Sequence, residues 1–207
     1  MRILGVDPGL TRCGLGVIEF SGGRRVKLID VSVARSKAEL PPQQRLLLIY
    51  NKLVETMCLM RPDAVAVERV FAKDNVLSVT STALVAGLAM LCAAQRSLPV
   101  ALYSPTEVKA AVCGNGRAEK SQVQLMVQRI LKMDAPAKPA DAADSLAIAI
   151  CHAWKGVLLG RETSRAQHGG ANMLPRAEGP DLTPAQKMWA RAQRENACRG
   201  AVRRHSR

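Results

Sequence analysis

Four carboxylates stand at positions from which acidic side chains could act together. Asp7 lies where an apolar run meets a Pro-Gly turn, and Glu68 ends a second short apolar run. Asp141 and Asp144 open a helical stretch three residues apart, so both project from one face of a helix. Strand ends and helix N-termini converge at one edge of many α/β sheets, where such folds place their sites. The spacing therefore predicts an acidic cluster at a sheet edge.

Each acid also has an ordinary structural explanation. Asp-Pro-Gly is good turn chemistry, Glu68 alone fits a solvated strand end, and acids in a first helical turn complement the helix dipole. The overall charge favours a functional explanation over these structural ones, because the chain has 30 Lys and Arg residues against 17 Asp and Glu residues, a net charge of +13. Clustered carboxylates repel one another unless cations intervene, and oxygen ligands suit Mg²⁺ or Mn²⁺. Two such ions about 3.5–4 Å apart support phosphodiester hydrolysis.

The charge also indicates a polyanionic partner, since a pI near 10.0 favours phosphate neutralisation and counterion release. Residues 156–207 carry ten basic and four acidic residues and lack apolar periodicity, so we expect a basic, largely flexible tail, with a short helix compatible with 183–202. We expect a cytoplasmic protein, because no transmembrane run or signal peptide is evident. The six scattered cysteines predict no zinc site or disulfide framework.

The elements that must position the acids follow from turn signals and periodicity. Three strands precede an alternation of helices and strands, which indicates an α/β sheet that begins with an antiparallel meander. The predicted strands are Met1–Val6, Leu15–Phe20, Val26–Val33, Ala64–Val67 and Pro99–Tyr103, and the predicted helices are Gln43–Met60, Asn75–Gln95, one starting at Ser104, Ala118–Met133 and Asp141–Trp154.

Four motifs, in order across residues 1–155, resemble the RuvC family of Holliday-junction resolvases. They are Ile3-Leu4-Gly5-Val6-Asp7-Pro8-Gly9 with Gly14, Val67-Glu68-Arg69-Val70-Phe71, Ala118-Glu119-Lys120-Ser121-Gln122-Val123 and Asp141-Ala142-Ala143-Asp144-Ser145-Leu146-Ala147-Ile148-Ala149. The resemblance implies a ribonuclease-H-like nuclease domain over residues 1–155, with a mixed five-stranded sheet. It also implies a homodimer that cuts two opposing strands of a four-way DNA junction with magnesium, in recombination and repair.

The resemblance assigns roles to individual positions. The family's acidic tetrad, which holds the metal ions, falls on Asp7, Glu68, Asp141 and Asp144, although some members carry His at the third position. Lys109 and Lys120 resemble basic residues near the cut phosphate, and Phe71 matches a residue that stacks on junction bases. The helix that begins at Asn75 matches the dimer interface, and the RuvA–RuvB branch-migration complex is the implied partner. The 52 residues after 155 have no counterpart.

Two other functions compete with this interpretation. Asp7, Gly9, Thr11 and Gly14 also match the phosphate loop of actin-like and sugar-kinase ATPases, but those proteins need two domains, and 207 residues are too few. A non-catalytic junction-binding module would explain the charge. Four carboxylates argue against that module, because acids near phosphates weaken binding unless metals bridge them.

Overall fold

The computed structural model describes residues 1–70 and 76–162. Within these ranges the chain forms a five-stranded sheet with helices on both faces, and residues 1–162 belong to one compact unit. The strands are β1 (Arg2–Asp7), β2 (Arg12–Phe20), β3 (Val26–Arg35), β4 (Ala64–Glu68) and β5 (Val100–Tyr103). The helices are α1 (Pro42–Met60), α2 (Val76–Ala94), α3 (Pro105–Cys113), α4 (Lys120–Leu131) and α5 (Ala140–Glu162).

The sheet is mixed, in the order β3-β2-β1-β4-β5. β1, β2 and β3 form an antiparallel meander, whereas β4 pairs parallel to β1 and β5 parallel to β4. This confirms both the predicted meander and the predicted ribonuclease-H-like class of sheet. The parallel strands β1 and β4 end at the same edge, which is the edge where Asp7 and Glu68 lie.

Side-chain alternation along the strands builds one core on each face of the sheet. On one face Leu4, Val6, Val65 and Val67 pack with α1 and α2. On the other face Ile3, Ile18 and Ala66 pack with α3, α4 and the apolar side of α5. Asp7 and Glu68 each follow a residue of the first core, so alternation places their side chains on the face that α5 covers.

Glycines let α5 lie directly against the sheet. A Cβ on Gly5 would overlap the carbonyl of Ser145, and a Cβ on Gly14 would overlap the carbonyl of Asp141. Gly16, which pairs with Gly5 across β1 and β2, would bring a Cβ within 2.9 Å of the Leu146 amide nitrogen. The helix axis therefore sits closer to β1 and β2 than side chains would allow, which fixes its first turn over the sheet edge.

Most predicted elements are present within two or three residues of their expected ends, and the helix start at Ser104 is confirmed. Its hydroxyl accepts from the Glu107 amide while the Glu107 carboxylate accepts from the Ser104 amide, a reciprocal capping box. The predicted helix end at Trp154 was wrong, because α5 continues to Glu162. Gly156 and Gly160 each cost only about 1 kcal/mol in an otherwise helix-compatible run, so neither ends the helix.

The helix predicted over Ala118–Met133 is shorter and begins at Lys120, with Glu119 as its cap. No helix in the described ranges is long and apolar enough to cross a membrane. The tail predicted over 156–207 begins within α5, and its residues 163–207 lie outside the described ranges, so the predicted division into domain and tail stays a prediction.

Candidate active site

Asp7 and Glu68 lie side by side at one edge of the sheet. Val6 pairs with Val67 in the parallel ladder, so the next residue of each strand stands at the same level. Both acids are partly buried. The two strands thereby hold two carboxylates against the first turn of α5.

The first turn of α5 supplies the other two acids. Gly14 pairs with Asp7 across β1 and β2, and the carbonyl of Asp141 rests on Gly14. Asp144 lies one turn further along the same helix face. Three elements that are distant in sequence therefore bring together the four carboxylates that the sequence predicts to act as a cluster.

Electrostatics confirm that the acids interact. The pKa of Asp7 is raised from 3.8 to about 8, first by burial and then by the negative charges of Glu68, Asp144 and Asp141 in that order, with Lys120 partly offsetting the rise. Burial and then Asp144 raise the pKa of Glu68 from 4.5 to about 6. Buried carboxylates with raised pKa values lack enough positive charge nearby, which is the condition that a bound cation relieves.

Two basic residues partly neutralise the helix acids. Lys120 Nζ lies 2.7 Å from Asp144 Oδ2, and this hydrogen bond is the main cause that raises the lysine pKa. Arg12 Nε lies 3.1 Å from Asp141 Oδ2. Lys109 of α3 makes a weaker contribution, acting at a distance on Glu68 to lower its pKa. Lys120 therefore contacts the cluster directly, whereas Lys109 acts on it only through its charge.

Asp141 Oδ2 is a buried oxygen of the site that lacks a well-formed hydrogen bond. Despite the nearby guanidinium, it accepts no hydrogen bond of acceptable geometry from the described residues. Carboxylate oxygens of this kind are the ligands that hard divalent cations prefer. The donor set at the site therefore fits a magnesium-type ion.

The elements bring the four acids to one place, but their side-chain oxygens do not yet surround a common point. Within residues 1–70 and 76–162, no three acidic, histidine or cysteine side chains are close enough to hold a metal ion as they stand. Lys120 and Arg12 each pair with one acid, and like charge disfavours a closer approach of the carboxylates without a cation between them. Binding a cation would require side-chain rotations that bring the oxygens inward.

The sequence patterns did not indicate a role for Arg12, and the predicted role of Phe71 is not tested by the described residues. Arg12 begins β2 directly after the Pro-Gly turn, and its pairing with Asp141 depends on how α5 crosses the sheet, which no local pattern reveals. Phe71 lies outside the described residues, so its stacking role remains a prediction.

Comparison with known proteins gives consistent matches. The family model described as Crossover junction endodeoxyribonuclease RuvC matches residues 3–152, a range that contains all four acids. Proteins of that name from Leifsonia xyli subsp. xyli and Bifidobacterium adolescentis are 51% and 54% identical to the chain. The first match covers 95% of this chain and 94% of the relative, and the second covers 99% of each.

Solved structures agree with the sequence matches. The structure titled "T. thermophilus RuvC in complex with Holliday junction substrate" superposes with a TM-score of 0.73 at 34% identity, covering 76% of this chain and 96% of that one. The yeast mitochondrial Holliday junction resolvase Ydc2 superposes with a TM-score of 0.52 at 14% identity, which shows the fold alone.

Proposed function

Because the chain belongs to the RuvC family of crossover junction endodeoxyribonucleases, we propose that it resolves four-way DNA junctions by paired, symmetric nicks. The observation that carries the proposal is the convergence of Asp7, Glu68, Asp141 and Asp144 at one sheet edge, with raised pKa values for the first two. A non-catalytic module would have no use for buried acids that repel the DNA backbone.

We assign the four carboxylates as ligands of Mg²⁺, two ions per site, with Mn²⁺ able to replace it. Asp7 is central, because the other three acids all act on its pKa. When bound, such ions activate water and stabilise the departing oxygen of a phosphodiester. The buried Asp141 Oδ2, which is paired with Arg12 but accepts no well-aligned hydrogen bond from the described residues, and the acidic donor set support this assignment.

Basic residues around the acids bind and orient the cut strand. Lys120 is exposed for 59% of its side chain and stands over Asp144, so it can contact a phosphate without leaving the site. Lys109 acts on Glu68 from α3. We propose that Phe71, three residues after Glu68 in the chain, stacks on an unpaired junction base, a contact worth about 1–3 kcal/mol.

Cutting two opposing strands requires two sites, so the active form is proposed to be a homodimer. One face of α2 supports this, because Leu84 and Leu91 are about half exposed and follow a three- and four-residue spacing with Gly87 between them. A Cβ on Gly87 would meet nothing within 4 Å, which leaves room for a second helix to approach. Exposed Leu47 and Leu48 extend apolar surface onto α1, which packs beside α2.

The setting of the reaction follows from the family. We propose that the enzyme acts in the cytoplasm, in DNA recombination and repair, and that the RuvA–RuvB branch-migration complex delivers its junctions. A pull-down with both partner proteins on junction DNA, compared with the enzyme alone, tests the partnership.

The decisive experiment is a cleavage assay on a synthetic four-way junction. Each of the four strands is labelled in turn, and the protein is added with Mg²⁺ or with a chelator. We expect cuts at symmetric positions in two opposing strands, only with the metal, and far slower cutting of the matching linear duplex. Equal cutting of duplex and junction would contradict the proposal.

A further inference from the structure

A cavity of about 310 Å³ opens beside the acidic cluster and shares only Arg12 and Asp141 with the site described above. The turn between β1 and β2 forms one wall, Arg45 of α1 a second, and Ser81 and Thr82 of α2 a third, while Asp141 lies where the cavity meets the acids. The volume is at the lower end of small-ligand sites. Guanidinium and hydroxyl groups outnumber the single carboxylate in the lining, so the cavity suits an anion.

The turn that walls this cavity is fixed before any ligand binds. Arg45 donates from Nη2 to Thr11 Oγ1 at 2.7 Å and from Nε to Ser36 Oγ at 3.0 Å. Ser36 in turn donates from Oγ to the Leu10 carbonyl and from its amide to the Thr11 carbonyl. A Cβ on Gly9 would overlap the carbonyl of Arg12, so the turn is also too tight for another residue. A ligand therefore meets a preformed wall, which lowers the entropy lost on binding.

Arg12 is the group in this cavity with donors to spare. Its Nε lies 3.1 Å from Asp141 Oδ2, and its side chain is 56% exposed. In the described part of the chain no other polar partner contacts this guanidinium, which leaves both Nη groups to bind a ligand. A guanidinium presents its donors in a fork that matches two phosphate oxygens.

We propose that the cavity binds a phosphate of the strand being cut, next to the phosphate that is cleaved at the acidic cluster, and that Arg12 is the residue that binds it. The proposal rests on the junction cleavage proposed above. Asp141 belongs both to the cluster and to the cavity lining, so the two phosphates are neighbours on one strand. Arg12 acts as a positioning residue: its Nε contacts Asp141, and its Nη groups donate to the neighbouring phosphate. These contacts hold the strand so that the phosphate to be cut lies at the acids.

The first test is a salt titration of junction binding in a chelator, where no strand is cut. Each phosphate contact contributes about 0.9 to the slope of log affinity against log salt, so Arg12→Gln should lower the slope by about that amount per engaged site. Arg12→Lys keeps the charge and should keep the wild-type slope. Arg96→Gln is the matched control, because Arg96 lies in the loop between α2 and β5, at the opposite end of β4 from Glu68.

The second test neutralises single phosphates of the DNA. Junctions are prepared with one neutral methylphosphonate at each phosphate near the cut, and affinities are measured for the wild type and Arg12→Gln. A neutral group at one of the two phosphates next to the cut should weaken wild-type binding by roughly tenfold, as expected for a lost charge-assisted hydrogen bond. The same neutral group should weaken the binding of Arg12→Gln by less than about twofold.

The outcomes separate the subsite from the enzyme's function. A wild type that neither binds nor cuts the unmodified junction would overturn the proposed function itself. The phosphate subsite alone is overturned if the wild type cuts normally while Arg12→Gln shows the same salt slope as the wild type and the same response to every methylphosphonate. If Arg12→Gln does not fold, Arg12→Lys replaces it in the methylphosphonate scan. A scan that leaves wild-type affinity unchanged at both neighbours then refutes the subsite.

Discussion

Asp7 is the residue at which stability and activity oppose each other. Its pKa of about 8 means that the folded state keeps a proton there which the unfolded chain loses near pH 4. In this interval the folded state binds more protons, so the stability of the metal-free protein falls as the pH rises from about 4 to about 8. A cation reverses this cost, because it favours the ionised carboxylate.

Replacing Asp7 by Asn should abolish junction cleavage while binding is kept or strengthened, because a ligand and a negative charge near the phosphates are both removed. The same variant should melt higher than the wild type at pH 8 in a chelator, by roughly 5–10 °C for a gain of a few kcal/mol. Melting curves at pH 5 and pH 8 check the sign, since the difference should shrink at pH 5. Near wild-type cleavage would contradict the role of Asp7.

Metal binding should release protons. Asp7 and Glu68 are partly protonated in the free protein at neutral pH and must ionise to become ligands. We therefore expect the Mg²⁺ concentration for half-maximal cleavage to fall as the pH rises from about 6 to 8.5. Calorimetric titrations in two buffers of different ionisation enthalpy count the released protons, and a buffer-independent heat would refute the prediction.

At the scale of elements, β1, β2 and α5 are held together by contacts that local sequence patterns do not show. Apolar runs and turn signals predicted where the elements lie, because strand and helix periodicities are local properties. The same patterns could not show that Gly5 and Gly14 support the backbone of α5, or that Arg12 reaches Asp141, since both depend on how the helix crosses the sheet. The acidic cluster was predictable because each acid closes or opens an element.

Gly14→Ala tests this packing. The added Cβ would push against the carbonyl of Asp141, so we expect both a lower melting temperature and a loss of cleavage of at least tenfold. Gly16→Ala is the matched control, since its Cβ meets Leu146 further from the acids. It should destabilise the protein but lower kcat much less. Equal losses of activity in the two variants would contradict a specific role for Gly14 in placing Asp141.

The exposed stripe on α2 gives a second prediction at this scale. Changing Leu84 and Leu91 to Glu together should produce a monomer by light scattering, because four like charges would face one another across a symmetric interface. Paired nicks in one binding event should then be lost, leaving single nicks. Leu125→Glu on α4, which is equally exposed, is the control and should leave the dimer intact. A dimeric double variant would show that another surface pairs the subunits.

At the scale of the whole molecule, charge is spread far beyond the site. Residues 156–207 hold ten basic and four acidic residues, and the described helix α5 reaches Glu162. Among the described residues, none after Asp144 supplies an acid or an ion-pair partner to the cluster. The last stretch of the chain therefore has the composition of an electrostatic arm for DNA.

A chain ending at Glu162 should fold and cut junctions, yet bind DNA less tightly at low salt. Full engagement of the excess charge would contribute roughly five units to the slope of log affinity against log salt, and partial engagement of two or three is expected. Salt titrations of both chains on the same junction measure the difference. An unchanged slope, or a shortened chain that does not fold, would refute the role of the arm.

The placement of two acids on α5 has a consequence for the newly made enzyme. Asp7 and Glu68 leave the ribosome in the first third of the chain, whereas Asp141 and Asp144 follow only after the sheet has been synthesised. Translation proceeds at roughly 5–20 residues per second, so several seconds separate the first acid from the last. During that time the nascent chain already carries basic residues but lacks two of the four acids of the cluster. We therefore expect junction cleavage only after α5 has docked on the sheet, and a nascent chain without α5 should not cut DNA.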